Sequence, residues 1–358
     1  MGHGALAVAT ALACVATACS KGSDTGGKHG ISDAPTTADA AAATTTAPPR
    51  GGVGQLALSG ISPLTGLPGD PTVLARPALI VKIDNAPEAR PQSGLDQADL
   101  VVEEKVEGTV VRFLVVFHSH DAATVGPVRS VRSTDPPVVR PLGGLFAYSG
   151  GIPEFVALLH GSAGVQDVGA DAASKAYTRR KGRTAPHNLY TSTAALYRSA
   201  AGTPGPPPVL FPRLGDGQAF DPPGAAPAAK ATVVFGIRTT AVWDYDAASA
   251  RWLRSTNGTP HTLEGGARLA FPTVILQQVP YRDTGFKDQS KAVVDEAVVV
   301  GAGNATVLVA GRQVQAHWSK PTPEAVTTFA DSAGQPILLP PGPVWVSLVP
   351  VEASVTIQ

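Results

Sequence analysis

Several groups of side chains in this sequence are of types, and at spacings, that can do chemistry. Glu103 and Glu107 are separated by four positions with Lys105 between them. On an extended strand they share one face, because strand side chains alternate with period two. Two carboxylates on one face can serve as general acid and base in glycoside hydrolysis, provided their surroundings push their pKa values apart; Asp84 is a third candidate for that catalytic set. The same residues equally suit a solvated strand face. Arg129 and Arg132 follow Gly126-Pro127, with Arg90 and Arg112 as candidate neighbours. A guanidinium is a planar fork matched to carboxylate or phosphate, so clustered arginines point to capture of an anionic ligand. Salt bridges from these arginines to Asp84, Glu103 and Glu107 are the competing arrangement. His187 and Asn188 join the ligand-binding set, next to a basic stretch over 179–183 that reads as a solvated loop able to touch an anionic polymer or lipid.

Other chemistries find less support. His118-x-His120 on a strand would place two imidazoles on one face, but a third ligand at fixed spacing is not visible, so no metal is assigned. The sequence contains no G-x-S-x-G, S-x-x-K, H-E-x-x-H or G-x-x-x-x-G-K-[ST], which leaves serine-hydrolase, penicillin-binding, zincin and P-loop readings without a motif. Gly301-Ala-Gly303 lacks the third glycine of a dinucleotide site. No cofactor is implied. Lys plus Arg and Asp plus Glu are 28 each, so no net basic field is available to hold nucleic acid.

The elements that must position these residues divide the chain. Residues 78–83 form a β-rich run ended by Asp84-Asn85-Ala86-Pro87. Residues 100–106 and 110–117 flank Glu107-Gly108-Thr109 as a hairpin, and 144–149 is a further strand. A short helix is predicted over 152–159 with Pro153 in its first turn, and another to 199 with Thr191 or Ser192 as its N-cap. Residues 201–229 hold eight prolines and five glycines, which neither helix nor interior strand tolerates. Beyond them short strands alternate with turns: 231–237, 241–245, 251–254, 273–279, 297–300, 305–310, 313–318 and 344–349, with 301–304 and Gly311-Arg312 as tight turns. Trp243, Tyr245, Trp252, Trp318 and Trp345 fall on these strands as core, the alternative being an exposed sugar-stacking platform.

The N-terminus is informative about location. Residues 4–18 carry no charge and are too short and alanine-rich for a spanning helix, which needs about 20 strongly apolar residues. Ala16-Thr17-Ala18 immediately precedes Cys19. That pattern resembles a bacterial lipobox, whose cysteine is lipidated and becomes the new N-terminus. Cys14 would leave with the signal, so Cys19 has no thiol partner in the mature chain. Residues 20–52 are mostly Ser, Thr, Ala, Gly, Asp and Pro and read as a disordered tether.

Taken together, several segments resemble the YerB-like bacterial lipoproteins, a two-domain family without an assigned biochemical activity. The likeness lies in Ser62-Pro-Leu-Thr-Gly-Leu67, Arg90-Pro-Gln-Ser-Gly-Leu95, Gln97-Ala-Asp99, Val106-Glu-Gly108 with Arg112-Phe113, Val125-Gly-Pro-Val-Arg-Ser-Val-Arg132, Gly150-Gly151 and His187-Asn-Leu-Tyr-Thr-Ser192. It is looser at Gly301-Ala-Gly303, Gly311, His317-Trp318, Pro341-Gly342 and Trp345-Val346. The resemblance implies domain boundaries and an envelope location, and supplies no reaction. The expected organisation is a signal peptide over 1–18, a lipidated tether over 19–52, a mixed α/β domain over 53–200, a Pro/Gly-rich linker over 201–229 and a β-rich domain over 230–358, an α+β fold overall. The expected function is a lipoprotein anchored to the membrane by palmitate or a similar lipid, acting as a binding or accessory module on a cell-wall component or envelope enzyme. A carboxylate-based envelope hydrolase and a solute-binding lipoprotein are the alternatives.

Overall fold

The computed structural model describes residues 1–2, 59–202, 204–289 and 291–358. Cys19, the signal segment from residue 3 on and the tether to residue 52 therefore lie outside the described residues. Among the described residues no helix is long and apolar enough to cross a membrane.

The first half contributes strands β1 (Leu79–Ile83), β2 (Leu100–Lys105), β3 (Val111–Phe117), β4 (Gly144–Ala147) and β5 (Val165–Asp167). The first four are buried along almost their whole length, which is why β1, β3 and β4 read as mostly apolar runs instead of alternating ones, while the charged end of β2 is buried by pairing its carboxylates with Arg254 and Lys82. Helices α1 (Asp135–Val139), α2 (Pro153–His160) and α3 (Thr193–Ser199) lie between and after them. Ile152 is the N-cap of α2 with Pro153 just inside it, and Ser192 caps α3 by accepting from the Ala195 N–H.

The second half is β-rich: β6 (Lys230–Gly236), β7 (Thr239–Asp246), β8 (Arg251–Thr256), β9 (Thr273–Val279), β10 (Tyr281–Lys287), β11 (Val293–Ala297), β12 (Gly301–Val309), β13 (Arg312–Lys320), β14 (Thr328–Ala330), β15 (Val344–Pro350) and β16 (Ser354–Ile357). The α+β class is thus observed, with a mixed first half and a β-rich second one. The halves share one eleven-stranded sheet of order β14-β13-β12-β9-β15-β2-β3-β1-β4-β5, to which Ala226–Pro227 adds a short strand on β13. The junction is β15 running parallel to β2, with Leu100 opposite Val344 and Glu104 opposite Leu348.

β6, β7, β8 and β16 form a second sheet whose strands alternate in burial. Its inner face, with Val233, Phe235, Trp243 and Trp252, packs on Val101, Phe113, Val115 and Trp345 of the large sheet. The opposite face of the large sheet is covered by Val139, Phe155 and Leu159 from the helices and by Val294 and Ala297 from the β10–β11 hairpin. All four tryptophans are at most 1% exposed, so the core reading of Trp243, Trp252, Trp318 and Trp345 holds; Tyr245 is half-buried against Trp252.

Two expectations need correction. Residues 298–300 are not a strand, because β11 ends at Ala297. Residues 301–304 are not a turn but open β12. Gly303 is there for close approach: a Cβ on it would sit 2.7 Å from Nε1 of Trp318, which donates to the Gln278 carbonyl. The Pro/Gly-rich stretch is laid against the body, with Phe211 and Phe220 buried and Arg213 donating to the carbonyls of Leu64 and Pro340.

Candidate functional site

Strands β1, β2 and β4 all run in one direction, since β1 is parallel to β4 and both β1 and β2 are antiparallel to β3. Ligands of open α/β sheets bind beyond the carboxyl ends of such strands, and a polar cluster lies at that end here. Asp84 directly follows β1, Glu107 sits in the turn after β2, and Arg112 is at the start of the returning β3. The segment 127–131 crosses these ends. Asp84 N–H donates to the Pro127 carbonyl and Arg129 N–H to that of Lys82, while Ser149 N–H donates to Arg129 and Val131 N–H to Gly150. The Gly-Pro-containing run is therefore stitched between β1 and β4, which aims Arg129 and Arg132 at the carboxylates.

The side chains meet as follows. Glu107 accepts from Arg132 Nε at 2.8 Å and Arg112 Nη2 at 2.7 Å, and also from Arg132 Nη2. Asp84 Oδ2 lies 3.0 Å from Arg129 Nε and accepts from His187 Nδ1 at 2.7 Å. Burial pushes the Asp84 carboxyl up, but the His187 hydrogen bond and the Arg129 and Arg112 charges more than offset it and hold the group at about 2. Glu107 is likewise raised by burial and brought down to about 2 by Arg132 and Arg112. Both stay ionised through the neutral range. Arg112 is buried and faces the Arg132 charge, which together lower it to about 10, and its Nε and Nη1 are buried without an acceptor among the described residues. Three guanidinium groups thus confront two carboxylates at a mouth where Arg129 and His187 are partly exposed.

The structure separates the other candidates from this cluster. Glu103 and Glu107 do not share a strand face, because β2 ends at Lys105 and the chain turns before Glu107. Glu103 is completely buried and bonded to Arg254, Trp345 and Ser347. The paired-carboxylate geometry, like the solvated-face one, is absent. Arg90 lies in a different cleft, lined in part by the β6–β7 turn. Asn188 is buried, accepting from Arg179 at 2.8 Å and donating to the Arg183 carbonyl. The basic stretch is stapled down: Arg180 stacks on Tyr190 and pairs with Glu264, and Arg183 donates to the carbonyls of Ala89 and Pro91. His118 follows the end of β3 and is buried against the Leu74 and Arg76 carbonyls, whereas His120 is exposed, so they do not form a strand-borne pair.

Sequence reasoning missed a second buried set. Lys82 of β1 is fully buried with Glu104 of β2 and Asp135 of α1, and Asp135 Oδ2 accepts the Arg132 N–H, which joins this set to the cluster. Burial raises the Glu104 carboxyl to about 7 against the pull of Lys82, with Asp135 adding to the rise. A lysine inside an otherwise apolar strand, 79–83, was the available signal.

A mixed first half and a β-rich second half are the plan of a two-domain family whose models cover most of the chain. The chain matches the models described as "Protein of unknown function (DUF3048) N-terminal domain" over residues 64–205 and "Protein of unknown function (DUF3048) C-terminal domain" over 231–346, and it belongs to that YerB-like family. It is 27% identical over 299 residues to "Putative lipoprotein YerB" of Bacillus subtilis (strain 168), covering 81% of this chain and 86% of the relative. The crystal structure of the Bacillus subtilis YerB protein superposes with a TM-score of 0.70 at 25% identity, covering 83% of this chain and 99% of that one.

Proposed function

We propose that this protein is an extracytoplasmic lipoprotein, held to the membrane through Cys19, whose Arg129 mouth binds an anionic group of a cell-wall component or envelope protein. The anchor reading rests on the lipobox-like Ala16-Thr17-Ala18-Cys19 and on the lipoprotein name of the relative. Substituting Cys19→Ser should move the protein from the membrane to the soluble fraction and abolish labelling by radioactive palmitate; unchanged fractionation would refute the anchor.

The binding reading rests on one observation: at the partly exposed mouth the terminal nitrogens of Arg129 donate to no acceptor among the described residues. A carboxylate or phosphate arriving there would pair with Arg129 while Arg112 supplies positive potential from below. The low pKa of both Asp84 and Glu107 suits a binding site better than proton transfer, which needs one carboxyl raised towards neutral pH. In a co-sedimentation assay with purified sacculi, Arg129→Ala should lower retention by roughly tenfold or more, the scale of one charge-assisted hydrogen bond; because it also takes the cation from buried Asp84, Arg129→Lys, which keeps the charge and loses the planar fork, is the variant that should lose retention while shifting the melting temperature little. Equal retention of wild type and variant would overturn the assignment of the mouth to a wall ligand. Arg132→Ala is the contrasting variant: its guanidinium is buried on Glu107, so its loss should be felt in stability.

A further inference from the structure

The loop after β1 and the β6–β7 turn enclose a cleft of about 370 Å³, separate from the Arg129 mouth. Asn85, Arg90 and Val110 line one side, and Arg238, Thr239 and Asn257 the other. Arg90 has no carboxylate within ion-pair distance among the described residues, and its Nε is buried without an acceptor. Burial and the neighbouring Arg254 charge both lower its pKa, and Glu88 on the rim opposes them only in part. Arg254 offers no relief, being a cation itself and already paired with Glu103. A half-buried guanidinium beside a second guanidinium costs stability until an anion arrives.

The backbone that carries Arg90 is nonetheless firmly held. Arg183 donates to the carbonyls on either side of it, Ala89 at 3.0 Å and Pro91 at 2.6 Å, so the charge is presented from a fixed support. Asn85 Oδ1 is occupied by Gln92 Nε2, but Asn85 Nδ2 and the Thr239 hydroxyl are engaged by no described residue although both residues are largely buried. The volume falls within the range of small-molecule sites.

We propose that this cleft is a second ligand site, independent of the Arg129 mouth, which takes a small hydroxylated molecule bearing one anionic group. The carboxylate or phosphate pairs with Arg90, and the Asn85 amide and Thr239 hydroxyl meet the ligand's hydroxyl groups. The probes are glucuronate and glucose 1-phosphate, which share a polyol and differ in the anion, with glucose as the neutral control. By calorimetric titration at least one of the two anions should bind saturably and glucose at least tenfold more weakly. Arg90→Gln should weaken the anion tenfold or more, whereas Arg129→Ala should leave it unchanged. Because Arg90→Gln removes an uncompensated charge, it should melt at or above the wild-type temperature. Which anion binds tells carboxylate from phosphate. Binding of neither up to about 10 mM, retention by Arg90→Gln, loss in Arg129→Ala instead, or a melting temperature of Arg90→Gln several degrees below wild type would each overturn the proposal.

Discussion

Replacing Arg254 by Met should lower unfolding free energy by about 3–5 kcal/mol, the usual consequence of stranding one member of a buried ion pair. Arg254 and Glu103 are both completely buried and tie the second sheet to the large one, with Nη2 to Oε1 at 2.5 Å and Nη1 to Oε2 at 3.2 Å. The guanidinium lies 4.9 Å from the Trp345 ring centroid, 5.2 Å from that of Trp243 and 5.7 Å from that of Phe113, and these π faces add to its attraction. Without it, Glu103 keeps among the described residues only the neutral donors Trp345 Nε1 and Ser347 Oγ for a charge that has no access to water. Removing both charges is a different matter. The double variant Glu103→Met with Arg254→Met should recover most of the loss, because a buried pair costs nearly as much in desolvation as it returns. Urea unfolding of the two single variants and the double variant closes the cycle; a loss under about 1 kcal/mol in Arg254→Met would show that the pair is not the lock between the sheets.

The second large effect is a dependence of stability on pH that is due to one histidine. His261 is 2% exposed. Gln92 Nε2 donates to the Asp84 carbonyl and to Asn85 Oδ1, each at 2.9 Å, so the oxygen of that amide faces His261. Nε2 of the imidazole therefore carries the proton and donates to Gln92 at 2.8 Å, leaving Nδ1 to accept from the Thr256 hydroxyl at 3.1 Å. Burial disfavours the imidazolium, and the Arg254, Arg90 and Arg268 charges add to that, bringing His261 down to about 2. The unfolded chain takes up a proton at the ordinary histidine value while the folded one does not, so stability is present above about pH 6.5 and falls as pH drops towards 2. The slope approaches 1.4 kcal/mol per pH unit. His261→Gln should abolish this component, so that the gap between wild type and variant narrows steadily from pH 6.5 to 4.5 in urea unfolding. The subtraction is needed because Glu104, raised to about 7, contributes in the opposite direction over the same range: its folded form holds a proton that the unfolded form releases. A constant gap would mean that folded and unfolded chains take up the proton alike, so that the fold does not hold His261 neutral.

Much of the large sheet was legible along the chain. A buried central strand is largely apolar on both faces, so 79–83, 111–117, 273–279 and 344–350 stand out as mostly apolar runs, interrupted at Lys82, Arg112, Gln277, Gln278 and Ser347. Helices α2 and α3 were marked by Pro153 at the first turn and Ser192 at the cap. Gly303 misled because composition does not tell a glycine that turns the chain from one that lets an indole lie against it.

By itself, the sequence determined most of the central strands and that the chain is α+β, and it offered Asp84, Arg90, Glu103, Glu107, Arg112, Arg129, Arg132, His187 and Asn188 as polar candidates without dividing them; it showed no sign of the strands over 165–167, 281–287, 328–330 and 354–357. Only the tertiary structure decided how the polar candidates are shared out. Glu103 and Glu104 are neighbours on β2, yet alternation sends the first to Arg254 of the second sheet and the second to Lys82 and Asp135 on the opposite face. Arg90 left the arginine cluster for the cleft by the β6–β7 turn, and Glu107 joined it because the chain turns at Gly108, which adopts a positive φ of 64°. Each of these pairings depends on β15 inserting beside β2 and on the second sheet closing over it. The pairs that result span 151 residues between Glu103 and Arg254 and 169 between Gln92 and His261. Local pattern carries period and polarity; it carries no record of which distant face will be brought to bear.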